Sequence, residues 1–123
     1  MRNMSFMLTT AQVRERTKTV TRRTGWKGLQ PGQELRAVEK GMGLKAGERI
    51  VTMATIRVVS VRPEPLSAMI NDTDYGLAEC EREGFGNHPT LRWPSQFVEF
   101  FCNSHRGCTP TTVVQRIEFE YLD

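Results

Sequence analysis

The sequence predicts a mixed α+β fold, namely a small β-barrel of mixed or antiparallel strands flanked by short helices. Two segments have strong strand character, "RIVTMATIRVVSVRP" (residues 49–63) and "TTVVQRIEFEYL" (residues 111–122). Short helical segments stand between the strands without the regular alternation that builds a parallel βαβ sheet. Because 123 residues suit one hydrophobic core, residues 1–123 are interpreted as a single domain.

The first predicted elements are short. Thr9 followed by Gln12 is a capping-box pattern, which predicts a helix that begins near Thr9. A turn at Pro31 and Gly32 then leads into "ELRAVEK" (residues 34–40), which predicts a strand. The glycine-rich "GMGLKAGE" after it predicts a loop.

The long strand in residues 49–63 changes phase along its length. Ile56 and Val58 share one phase of the alternation, whereas Val59 and Val61 occupy the other. A bulge or a bend in one strand produces such a change. A strand buried on both faces is the alternative interpretation.

The later part of the chain predicts two helices. "DYGLAECEREGFG" (residues 74–86) is typical of a short polar helix that ends at Gly84. Pro94 predicts the start of the second helix, since proline suits the first helical turn. One face of that helix is predicted to lie in the core, and it carries Phe97, Phe100 and Phe101.

The last predicted strand alternates between apolar and polar residues. This alternation predicts one face toward the core and one toward solvent. The inward face would carry Val113, Ile117, Phe119 and Tyr121, and the outward face Arg116, Glu118 and Glu120.

Positive charge is concentrated in one segment. The net charge is only +3, but residues 14–27 hold six bases and one acid, and the rest of the chain holds eleven bases and thirteen acids. A cluster of this kind indicates binding of a phosphate or an oxyanion, although a solvated basic surface is the equally simple alternative. The candidate binding residues are Arg14, Arg16, Arg22, Arg23 and Lys27, with Trp26 as a base-stacking residue.

Composition excludes some classes of protein. No stretch approaches the roughly 20 apolar residues of a transmembrane helix, and the N-terminus lacks the apolar run of a signal peptide. Three cysteines are an odd number, which favours reduced thiols and a cytoplasmic protein. Cys102, His105 and Cys108 lack a second ligand pair, so no metal site is predicted.

A succession of motifs resembles the ASCH domain, a small β-barrel related to the PUA fold. The motifs are, in order, "KTVTRR", "LQPGQELRAVEK", "AECEREGF", "FVEFFC" and "RIEFEYL", and they span most of the chain. The resemblance implies a PUA-like barrel and RNA binding. Small bacterial members are amidohydrolases that deacetylate acetylcytidine nucleosides without a cofactor. By motif, the resemblance implies a catalytic set of Lys18, Thr21 and Glu83, with Glu79 and Glu81 as alternatives to Glu83.

This catalytic set is chemically coherent, but other interpretations stay open. A threonine hydroxyl needs a nearby base, and Lys18 is a base only when it is neutral. Arg22 and Arg23 would lower the pKa of Lys18 and an ionised Glu83 would raise it, so the direction is undetermined. The alternatives are a non-catalytic single-stranded RNA-binding module and a metal-independent ribonuclease. For each of these functions, the expected partner is RNA or a modified nucleoside. Neither a membrane nor an obligatory protein partner is expected.

Overall fold

The structure, a computed structural model, describes residues 1–123 as a sheet with short helices. Its strands are β1 (Arg2–Ser5), β2 (Val20–Arg23), β3 (Glu34–Val38), β4 (Thr52–Pro65) and β5 (Val113–Tyr121). Its helices are α1 (Thr10–Arg14), α2 (Ala68–Asn71), α3 (Thr73–Cys80) and α4 (Pro94–Ser104). A 3₁₀ turn (Met7–Thr9) precedes α1, and a π-helical segment (Glu81–Phe85) continues α3.

The five strands form one curled sheet in the order β1-β3-β4-β5-β2. The β1–β3 pair is parallel and the other pairs are antiparallel, so the sheet is mixed. Arg23 on one edge strand donates a hydrogen bond of 2.7 Å to the carbonyl of Ser5 on the other. This side chain links the two edges of a half-barrel, and the predicted α+β class is confirmed.

The predicted phase change in β4 is a β-bulge. Val58 pairs with Phe119 and Ser60 pairs with Glu118, so Val59 has no partner on β5. Val58 is buried and Val59 is 44% exposed, which contradicts a strand buried on both faces. The bulge lets one long strand serve two different packing environments.

Two hydrophobic clusters divide the interior. The first lies against the sheet and includes Met4, Phe6, Leu35, Ile56 and Phe119. The second lies among the helices and the far end of the sheet, and it includes Leu66, Met69, Phe97, Phe101 and Val114. β5 contributes to both clusters, with Ile117 and Phe119 in the first and Val114 in the second, and Leu66 directly after β4 belongs to the second.

This division explains two wrong predictions for β5. Val113 is exposed and Arg116 is buried, opposite to the simple alternation, whereas Ile117 and Phe119 are buried as predicted. The first half of β5 turns its other face, with Val114, toward the helical cluster. A single alternation cannot describe a strand whose two halves are covered on opposite faces.

The predicted helices are present with small differences. α4 begins at Pro94, and its Phe97 and Phe101 are buried, but Phe100 is 38% exposed. α1 begins at Thr10 with Thr9 at its N-cap, as predicted, but the Thr9 side chain makes no capping hydrogen bond. No helix has the length and apolar character that a bilayer crossing requires.

Candidate functional site

A cavity of about 230 Å³ lies where β2, the π-helical segment and α4 meet. One end is polar and is lined by Lys18, Thr21 and Glu83. Aromatic side chains also line the cavity, among them Phe85, Phe97 and Phe101. A cavity with a few converging polar groups and an aromatic wall suits a small, partly apolar ligand.

Lys18 and Glu83 form a buried ion pair at the polar end. Lys18 Nζ donates to Glu83 Oε1 at 2.8 Å and to the Glu83 backbone carbonyl at 3.0 Å. Lys18 is 2% exposed and Glu83 3% exposed. Side chains so far from water interact strongly, because little solvent screens them.

The backbone around Glu83 is fixed by a glycine and by a hydrogen bond. Gly84 has φ +98°, a conformation that side chains rarely adopt, and a Cβ there would lie 2.7 Å from Gln12. The amide of Thr19 donates to the carbonyl of Arg82 at 2.8 Å, which ties the Lys18 segment to the end of the helix. Glu83 thus projects toward Lys18 because the helix ends here.

Burial lowers the pKa of Lys18 below its ordinary value, and the neighbouring Glu83 offsets only part of this shift. Arg22 and Arg23 lower the pKa further by like-charge repulsion. The direction that the sequence left undetermined is therefore downward, with burial as the largest cause. A lowered pKa makes the neutral amine, the form that accepts a proton, easier to reach.

Thr21 lies in the same cavity and is oriented by Arg23. Arg23 Nε donates to Thr21 Oγ1 at 3.0 Å, so the hydroxyl proton of Thr21 remains available for donation. The Arg23 guanidinium also lies 4.9 Å from the centre of the Phe6 ring. Burial lowers the pKa of Arg23 to about 10, so the side chain is still a cation at neutral pH.

Arg22 connects this cavity to further buried carboxylates. Its Nη1 donates to Glu83 Oε2 at 2.9 Å, and its Nη2 donates to Glu79 at 2.6 Å and to Glu64 at 3.0 Å. Burial lowers the pKa of Arg22, but Glu83 and Glu79 outweigh burial and hold it above the ordinary arginine value. One guanidinium thus serves three carboxylates without contact with water.

A row of arginines crosses the sheet behind this cavity. Arg116 on β5 lies directly opposite Arg22 on β2 and Arg62 on β4. Like charges in this arrangement repel each other unless anions lie over them. Glu79 accepts two hydrogen bonds from Arg116, and Glu64 accepts two from Arg62.

Glu79 is the most heavily bonded of the carboxylates. It is completely buried, and it also accepts a hydrogen bond of 2.7 Å from Arg82. Burial raises its pKa, but hydrogen bonds from Arg116, Arg82 and Arg22 outweigh burial and bring it to about 2. Glu79 therefore remains a carboxylate throughout the neutral range.

Among the three candidate glutamates, Glu83 is the one that contacts Lys18. Glu79 lies behind Arg22, and Glu81 is exposed. Lys18, Thr21, Arg22 and Arg23 all line the cavity with Glu83. The structure thus brings the candidate catalytic set and two of the candidate binding arginines together.

The other candidate binding residues lie outside the cavity. Arg14 forms an ion pair with Glu39, and Arg16 forms one with Asp123. Trp26 packs partly on the first hydrophobic cluster, and the Arg2 guanidinium lies 4.1 Å from the centre of its ring. Lys27 is exposed. The basic segment therefore does not form one continuous surface around the cavity.

Sequence reasoning missed Glu64 and Arg116 as parts of the site. Ile117 and Phe119 indicate a single apolar phase for β5, and this phase predicts that Arg116 faces solvent. Val114 and Arg116 share the opposite phase, and this pair was the available signal. Nothing local distinguishes Glu64, which lies between two prolines at the end of β4.

Cys80 on α3 is buried beside this network, whereas Cys102 and Cys108 lie apart from it. Cys102 Sγ and Cys108 Sγ are 3.5 Å apart, and the three cysteines are free thiols. His105 stacks on Phe101 with ring centres 4.1 Å apart. No group of three or more His, Cys, Asp or Glu side chains is placed to hold a metal ion.

Comparison with known proteins finds similarity at the level of the fold. No family model matches the chain, and no curated protein matches it significantly. The crystal structure of protein EF3133 from Enterococcus faecalis, described with the family DUF984, is similar with a TM-score of 0.52 and 19% sequence identity. The match covers 87% of this chain and 62% of that one, so the chain spans less than two thirds of its length. At this identity the similarity shows a shared fold.

Proposed function

We propose that this protein is an amidohydrolase of the ASCH family that deacetylates an acetylated cytidine at Lys18, Thr21 and Glu83. The observation that carries the proposal is the buried contact of 2.8 Å between Lys18 Nζ and Glu83 Oε1, in a cavity that Thr21 also lines. A buried lysine and carboxylate beside a hydroxyl is the arrangement that acyl transfer to threonine needs. The motifs around these residues resemble those of the ASCH amidohydrolases.

The proposed chemistry begins with a proton transfer from Lys18 Nζ to Glu83 Oε1 along their hydrogen bond. Neutral Lys18 then accepts the proton of Thr21 as Oγ1 attacks the acyl carbonyl carbon. Glu83 gives its proton to the amine of the departing cytidine when the C–N bond breaks. Water then attacks the carbonyl carbon of the acetyl ester on Thr21. One proton of the water passes to Thr21 Oγ1 as the ester C–O bond breaks, the other passes to solvent, and acetate is released. Arg23, which contacts Thr21, is placed to stabilise the negative oxygen that develops on the carbonyl.

The distribution of charge favours a small neutral substrate over an RNA strand. Both terminal nitrogens of Arg22 bond carboxylates, and the half-exposed Arg14 and Arg16 are paired with acids away from the cavity. A larger groove of about 700 Å³ on the other side of Gly84 is lined by Glu15 and Glu81 and by no lysine or arginine. Such a groove repels phosphate groups.

The first experiment measures release of cytidine from acetylcytidine by chromatography. Thr21→Ala and Lys18→Ala are expected to lower kcat by at least about a thousandfold, because each removes a group that takes part in bond making. Thr24→Ala and Lys27→Ala are matched controls from the same segment, since both side chains are exposed. Circular dichroism verifies that each variant is folded.

Three outcomes would contradict the proposal. The first is a folded wild type with no turnover, and the second is turnover that survives both active-site substitutions. In either case, binding to single-stranded RNA with a steep salt dependence would favour the non-catalytic module. The third is cleavage of RNA in the presence of a chelator, which would favour the ribonuclease.

A further inference from the structure

Glu79 lies behind the proposed reaction centre and is connected to it by one buried arginine. Arg22 Nη2 contacts Glu79 Oε1 at 2.6 Å, and Arg22 Nη1 contacts Glu83 Oε2 at 2.9 Å. Lys18 bonds the other carboxylate oxygen of Glu83. A continuous chain of charged contacts therefore runs from Glu79 through Arg22 and Glu83 to Lys18.

We propose that Glu79, acting through Arg22, is a positioning residue that sets whether the shared proton rests on Lys18 or on Glu83. When the proton moves from Lys18 Nζ to Glu83 Oε1, Glu83 becomes neutral and Arg22 loses one anionic partner. Arg22 keeps Glu79 and Glu64, so no buried guanidinium is left without an anion. An unpaired buried charge is strongly unfavourable, and Glu79 is placed to prevent it.

The number of carboxylates around Arg22 supports this role over a purely structural one. A structural ion pair requires a single anion, whereas Arg22 contacts Glu64, Glu79 and Glu83. Arg116 and Arg82 fix the position of Glu79, and both bond it directly. The strength with which Glu79 holds Arg22 therefore depends on these two arginines.

Every neighbouring element contributes charged or titratable groups to this region. The protonation of Lys18 depends on the combined electrostatic effect of all of them. They are Lys18 before β2, Arg22 and Arg23 on β2, Arg62 and Glu64 on β4, Tyr75 and Cys80 on α3, Arg82 on the π-helical segment, His105 after α4, and Arg116 and Glu118 on β5.

The consequence for the reaction rate rests on the proposed function, but the protonation of Lys18 can be measured without substrate. The test follows the ε-carbon of Lys18 by NMR in protein labelled with ¹³C-lysine, as a function of pH. Lys27, Lys40 and Lys45 provide reference signals, and Lys18→Met assigns the signal of interest. The pH at which half of Lys18 is protonated is the measured quantity.

Two variants are expected to move this midpoint in opposite directions. Glu79→Gln removes one of the anions that pair with Arg22. Arg22 then interacts more strongly with Glu83 and repels the Lys18 ammonium, so the midpoint falls by about one pH unit. Arg82→Gln removes a cation from Glu79, which then holds Arg22 more strongly, so the midpoint rises. The Arg82 variant carries the test if Glu79→Gln does not fold, since Arg82 is 47% exposed and pairs only with Glu79.

Arg57→Gln is the matched control. Arg57 is 44% exposed and forms an ion pair of 2.7 Å with Glu120, the same distance as in the Arg82–Glu79 pair. It should leave the midpoint unchanged. The effect of Arg82→Gln should also persist at about 0.5 M salt, whereas a direct surface effect would be screened.

An unchanged midpoint in the folded variants, or a shift in Arg82→Gln that salt abolishes, would overturn the inference. A shifted midpoint in a protein that does not hydrolyse acetylcytidine would reject the proposed function and support the inference. Turnover of acetylcytidine by a protein whose midpoint does not shift in the variants would support the proposed function and reject the inference. The two proposals therefore fail separately.

Discussion

Lys18 and Arg22 are almost wholly buried, whereas Arg14 and Arg16 from the same short segment are half-exposed. The buried pair contacts three carboxylates at distances from 2.6 to 3.0 Å. The half-exposed pair makes isolated ion pairs with Glu39 and Asp123. Residues of one type in one segment thus have two different roles, because Lys18 and Arg22 meet buried glutamates from other elements while Arg14 and Arg16 meet acids at the surface.

This comparison shows that local density of charge is a poor measure of a binding surface. The segment contributes cations to the interior, where glutamates from α3, β4 and the π-helical segment neutralise them. Buried ion pairs of this kind contribute little net stability compared with apolar side chains. Their presence in a small fold favours a role in the chemistry of the cavity.

The largest effect that tests this comparison is expected for Arg22→Gln. The substitution leaves Glu64, Glu79 and Glu83 with one fewer cation in the interior, which should lower the free energy of unfolding by about 3–5 kcal/mol. Urea denaturation measures it. Arg14→Gln is the control from the same segment, and equal losses in the two variants would contradict the distinction between the two sets.

An intermediate effect on the free energy of unfolding is expected when the pH is lowered. The pKa of Glu79 is about 2 in the folded protein and near the ordinary 4.5 when unfolded, so its contribution to stability is complete above about pH 4.5. This contribution should be lost as the pH falls from about 4.5 to about 2. Urea denaturation across this window should show a weaker dependence on pH in Glu79→Gln than in the wild type. Parallel curves would argue against Glu79 as the titrating group.

The smallest effect on the free energy of unfolding is expected for a substitution at the surface. Arg14→Gln removes the ion pair with Glu39, whose partners are 49% and 35% exposed. The free energy of unfolding should fall by less than about 1 kcal/mol, because water and salt screen such pairs. The loss should disappear at about 1 M salt, measured by the same urea titration. A larger or salt-independent loss would mean that Arg14 belongs with the buried set.

The sequence by itself determined much of the secondary structure and part of the site. β3, the bulge in β4 and the start of α4 at Pro94 each follow from a local pattern of a few residues. The motif that begins at Lys18 and the helix end at Gly84 also identified residues that the fold brings together. Such features are predictable because propensity, periodicity and turn chemistry act over short distances.

Only the tertiary structure decided which charged residues are buried. Arg116 joins the site because β5 turns opposite faces to two separate cores, and Glu64 joins it because the end of β4 leads into Leu66 of the second core. Arg14, Arg16 and Lys27 remain outside it, since Arg14 and Arg16 pair with Glu39 and Asp123 and Lys27 is exposed. Whether a charged side chain is buried depends on anions from distant elements, and Arg22 obtains its partners from residues that lie far along the chain.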